Sequence, residues 1–107
     1  MKNFKKIIEL LLNWQIAVDY SEKEGKHSFT FYGDHFSHGN GCYQSWCALS
    51  TSDESLAIEL LSIPQRLWKG QDISMEQREF MGIAEHIKYD LPCEGLKVEL
   101  GDTFHKY

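Results

Sequence analysis

Residues 15–32 read Gln15-Ile-Ala-Val-Asp-Tyr-Ser-Glu-Lys-Glu-Gly-Lys-His-Ser-Phe-Thr-Phe-Tyr32, two alternating runs around a polar centre. In the first run Ile16, Val18 and Tyr20 alternate with Gln15, Ala17 and Asp19. In the second, Phe29 and Phe31 alternate with Ser28, Thr30 and Tyr32. A period of two puts each set on one face of a strand. Ser-Glu-Lys-Glu-Gly-Lys at 21–26 is a polar loop carrying Gly25, so the segment reads as a β-hairpin.

Working outward, Phe4, Ile7, Ile8 and Leu11 precede the hairpin at helical spacing, which predicts a helix from about residue 3 to 13. Gly33-Asp-His-Phe-Ser-His-Gly-Asn-Gly41 follows the hairpin and reads as a glycine-rich loop, with Gly39-Asn-Gly41 as a turn. Residues 42–49 have the length and composition of a third strand. Thr51-Ser-Asp-Glu54 resembles a capping box and opens a helix that places Leu56, Ala57, Leu60, Leu61 and Ile63 on one face. Pro64 ends that helix or starts a short one to Lys69. Ser74-Met-Glu-Gln77 is a second capping box, ahead of a helix whose apolar face is Phe80, Ala84, Ile87 and Leu91. Leu96, Val98 and Leu100 then alternate as a last strand. The expected fold is α+β: an antiparallel sheet of about four strands, in the order α-β-β-β-α-α-β, with helices packed on one face. The expected core is Phe4, Ile8, Leu11, Val18, Phe29, Phe31, Leu56, Leu60, Phe80, Ile87 and Val98.

The 107 residues suit a single domain spanning 1–107. Three cysteines is an odd number, which argues against a disulfide framework and for a reducing cytoplasmic home. No apolar stretch approaches the length of a membrane span. Net charge is −5, and it is uneven. Residues 1–50 balance five lysines against five carboxylates, whereas residues 51–107 set six Lys/Arg against eleven Asp/Glu. Such a domain disfavours direct contact with nucleic acid and favours basic partners.

Among candidate chemistries, His35, His38, Cys42 and Cys47 offer four zinc-preferred ligands within thirteen residues. Their spacing matches no standard finger, and all four crowd one segment. A zinc-binding regulatory module is the alternative reading, and the expectation is no metal and no cofactor. No local nucleophile signature or phosphate-binding loop occurs, so no catalytic residue is assigned and the chain is not expected to be an enzyme. The remaining feature is a stripe on the helix opened by Ser74, where helical spacing aligns Asp72, Glu76, Glu79, His86 and Asp90, with Arg78 and Lys88 elsewhere. Like charges so placed repel by a few tenths of a kcal/mol per pair, a cost that fits a surface meant for a basic partner. The expected function is therefore stoichiometric protein binding by a monomer or homodimer. The partner would be a larger protein with a basic, nucleic-acid-binding surface, occluded by the carboxylates. Phage anti-CRISPR proteins and nuclease immunity proteins are inhibitors of this class, although no residue match links this chain to either. Phe36 and His38 in the 33–41 loop complete the candidate partner-binding set.

Overall fold

The computed structural model describes residues 2–13, 17–63 and 77–107. Helix α1 is Lys2–Asn13, followed by β1 Ala17–Lys23, β2 Lys26–His38, β3 Gly41–Thr51 and helix α2 Glu54–Leu61. Helix α3 is Gln77–Glu85; it continues into a π-helical turn, His86–Asp90, and the chain closes on β4 Lys97–Lys106. The strands form one antiparallel sheet in the order β1-β2-β3-β4. The architecture is α+β as the sequence predicts, apart from the π turn. Ile16, the Pro64–Lys69 helix and the Ser74 capping box lie outside the described residues.

The alternating runs set the layers. Tyr20, Phe29, Leu49 and Val98 form one cross-strand row, and Val18, Phe31, Cys47 and Leu100 form the next. Directly opposed residues share a face, and these two rows face the helices. Phe29, Phe31, Cys47 and Leu49 are buried with Phe4, Ile7 and Leu11 of α1, Leu56 and Leu60 of α2, and Phe80, Ala84 and Ile87 of α3 and its π turn. Of the expected core, all but Ile8 and Val98 are buried; those two are half-buried against the cluster. Val98 sits in an edge strand, where no described strand covers one flank.

The 33–41 segment is not the loop expected. β2 runs straight through it to His38, and β3 begins at Gly41. The register shifts between Tyr32 and His35, a bulge that contains Gly33. Glycine content there serves a bulge and a tight turn, not a loop. Both hairpins close on two residues. Glu24 and Gly25 have φ of 54° and 80°, and Gly39 has φ of 60°. Positive φ is what right-twisted hairpin turns demand, and it explains a glycine in each turn.

The first capping box is also corrected. The N-cap of α2 is Asp53, whose carboxylate accepts from the Ser55 and Leu56 N–H groups at 2.9 and 3.4 Å. Thr51 Oγ1 accepts instead from the Asp53 N–H at 3.0 Å. The Ser55 hydroxyl and the Leu56 amide hold the Asp53 carboxyl below its usual range. A depressed carboxyl pKa contributes stability that is complete above the unfolded value, about 3.9, and is lost as pH falls through the folded value. Asn caps a helix about as well without titrating. Urea melts should therefore show wild type losing more stability than Asp53→Asn between pH 6 and pH 3; parallel losses would remove Asp53 from the acid response.

Candidate functional site

The expected partner-binding residues divide between two places. Glu79 is exposed on α3, and His86 and Asp90 are exposed in the π turn, where His86 Nδ1 and Asp90 Oδ2 lie 3.0 Å apart. Phe36 stands in β2 opposite Tyr43, and His38 ends β2 opposite Gly41 with its ring 5.7 Å from that of Tyr43. Asp72 and Glu76 lie outside the described residues. The helix and the sheet tip are thus separate surfaces.

On the helix, Phe80, Ala84, Ile87 and Leu91 are buried, which fixes the opposite arc outward. The Leu91 N–H bonds the His86 carbonyl at 3.1 Å, an i→i+5 bond. Such π turns are rare and frequent at functional sites. Within it Ile87 lies in the core and Tyr89 is 66% exposed, with Glu85 and Asp90 also exposed. Sequence reasoning missed Tyr89 because α-helical spacing alone gives it no partner in the stripe. Two expectations change. Arg78 is exposed on the same helix, so the surface is not purely acidic. Lys88 lies with its ammonium 5.3 Å from the Tyr89 ring centre. Lys6, Glu9, Leu10 and Asn13 of α1 line a groove with His86 and Leu91, which carries the surface across to the first helix.

Of the histidine–cysteine cluster, the side chain of His35 lies outside the described residues, and Cys42 and Cys47 lie on opposite faces of β3. Cys47 is fully buried and belongs to the helix-facing row. Burial pushes its thiol up to about 12. Cys42, an odd number of residues away on the same strand, points to the other face. Among the described residues no group of three potential ligands gathers, and none of the three cysteines forms a disulfide.

A polar chain that the sequence did not signal lies at the first hairpin. His27 is 7% exposed. Its Nδ1 lies 2.7 Å from the Tyr20 hydroxyl and its Nε2 lies 2.8 Å from Glu54 Oε1. With Glu54 ionised, a neutral ring satisfies both contacts in one way: Tyr20 O–H donates to Nδ1, and Nε2–H donates to the carboxylate. That is the polarity of a nucleophile–histidine–acid relay. Burial, then the Glu22 and Glu54 carboxylates, raise the Tyr20 pKa, so the phenol is held protonated, not activated. The chain acts as a tie between the hairpin and the start of α2. His27→Ala should cost about 1–3 kcal/mol, since it removes two hydrogen bonds and leaves a gap under the hairpin. Glu54→Gln keeps an acceptor, and its carboxylate is largely exposed, so it should cost less. Urea melts that rank the two variants the other way would contradict the tie.

Comparison of the chain with family models, curated proteins and solved structures returns no match. Among the described residues no helix is long and apolar enough to cross a membrane.

Proposed function

We propose that this domain is a stoichiometric protein-binding inhibitor that covers a basic surface on a nucleic-acid-processing complex or nuclease, in the manner of phage anti-CRISPR and immunity proteins. The observation that carries the reading is the outer arc of α3 and its π turn. There Glu79, Glu85 and Asp90 are exposed together with Tyr89. Binding surfaces draw most of their energy from a few anchors, with tyrosine enriched among them, while surrounding charges set encounter rate and partner choice. The arc is mounted rigidly, because four buried side chains on the reverse of the same segment lock it to the sheet. A carboxylate group on such a mount presents negative charge to lysines and arginines that otherwise hold phosphates.

The test begins with capture of the partner from the native host by the full chain. The captured protein is then bound to an oligonucleotide and titrated with the domain. One equivalent should release the oligonucleotide, and Tyr89→Ala should release less. A partner with no affinity for nucleic acid, or an oligonucleotide that stays bound beside the domain, would overturn the reading.

A further inference from the structure

β4 is an edge strand: it pairs with β3 on one side, and no described strand lies on the other. It runs ten residues, Lys97–Lys106, without proline or bulge. Natural sheets guard such edges, because a row of unpaired N–H and C=O groups is a template for another strand. The half of β4 beyond Gly101 lies opposite Gly41–Ser45 of β3, in the part of the sheet that extends past β1, whose pairing with β2 stops at Ala17 and Tyr32.

The orientation of the edge follows from one bond. The Tyr107 N–H bonds the Asn40 carbonyl at 2.9 Å, so it points toward β3. Backbone groups alternate between the two sides of an antiparallel strand. Those of Asp102, Phe104 and Lys106 therefore turn to the open edge. Their side chains share one face of the sheet, opposite Ser45, Tyr43 and Gly41. The Phe104 ring is 42% exposed, packs 4.9 Å from Tyr43 between centres, and covers Gly41, where a Cβ would come within 2.3 Å of it.

This segment is complementary to itself. A two-fold axis perpendicular to a sheet pairs two copies of a strand antiparallel and keeps each residue on its own face. Centred on Phe104, it sets Phe104 against Phe104 of the second copy. It sets Asp102 against Lys106 of the second copy, and the second Asp102 against the first Lys106. Thr103 then meets His105 on the other face. Both ionic pairs are of opposite sign, both flank an aromatic pair, and the residues concerned are those whose backbone groups face outward. Opposite charges and aromatic pairs directly across strands are the stabilising combinations, and like charges there are destabilising.

We propose that β4 is a homodimerisation edge: two copies of this chain pair antiparallel through Asp102–Lys106, joining two four-stranded sheets into one of eight. The pairing uses none of the helix residues of the proposed partner surface.

Sedimentation equilibrium on the full chain tests it with three variants. Lys106→Asp places carboxylates against carboxylates. Asp102→Lys/Lys106→Asp restores opposite signs in swapped positions. Lys106→Pro removes an N–H that faces the edge and takes no part in the monomer's own ladder. Wild type should dimerise. Lys106→Asp should weaken the dimer about tenfold, from the change of sign in two cross-strand pairs, and the swap should recover part of that loss, since Asp102→Lys also removes the carboxylate that accepts from the buried Ser45 hydroxyl at 2.6 Å. Lys106→Pro should be monomeric with an unchanged thermal midpoint. A wild type that stays monomeric up to millimolar concentration, or a dimer equally tight in Lys106→Asp and Lys106→Pro, would overturn the proposal.

Discussion

Phe80→Ala is expected to destabilise the domain by roughly 3–5 kcal/mol, the range for removing a fully buried aromatic ring. The ring is fully buried. It sits over the one place where β2 departs from regular pairing, because a Cβ at Gly33 would come within 2.8 Å of Phe80 Cγ. The ring therefore fills a notch made by the absence of a side chain. The notch wall is backbone held in a four-stranded sheet, and it has little freedom to collapse into the space an alanine leaves. The size of the loss depends on such collapse. Gly33→Ala is the reverse experiment and should cost about 1–3 kcal/mol through overpacking. Since the two positions touch, Gly33→Ala/Phe80→Leu should cost less than its singles combined. Urea melts measure all four. A Phe80→Ala loss under 1 kcal/mol, or strict additivity, would show that ring and notch are not one packing unit.

The fold was legible where hydrophobic period and burial agree. The hairpin over 17–32, α1 and the face Phe80–Ala84–Ile87–Leu91 were readable because a period of two or of about 3.6 is imposed by one-sided burial. The reading failed where a residue has two uses. Gly33 looked like part of a loop because glycine marks loops, whereas it lies within β2 and makes room for Phe80. Gly39-Asn-Gly41 is the turn the sequence indicates, with Gly41 lying under Phe104. Glu54 looked like the acid of a capping box, but it reaches His27 across the fold, a pairing of residues 27 positions apart that no local pattern encodes. The candidate site was half legible. Glu79, His86 and Asp90 followed from helical spacing. Tyr89 did not: α-helical spacing already sets it opposite the buried face, but away from the carboxylate stripe.

Reversal of charge at the helix surface is expected to separate affinity from stability. Glu79→Lys/Glu85→Lys replaces two exposed carboxylates, and exposed charges contribute little to folding, so thermal melts should be nearly superimposable with wild type. Binding to the captured partner should behave otherwise. Charges at the rim of an interface act mainly on encounter, so the association rate should fall, and its dependence on salt should fall with it, since screening sets in over about 10 Å at 0.1 M. Tyr89→Ala should act on the other rate. An aromatic anchor that loses its pocket costs about 2 kcal/mol or more, near thirtyfold in affinity, and the loss appears as faster dissociation with the salt dependence preserved. The two signatures are physically distinct: long-range steering needs charge and no shape, whereas residence time needs the ring and its desolvation. Surface-plasmon kinetics at two salt concentrations read both. If each variant binds with wild-type rates, the α3 surface is a solvated face, and the contact belongs to the sheet tip, where His38, Tyr43 and Phe104 would be the residues to truncate next.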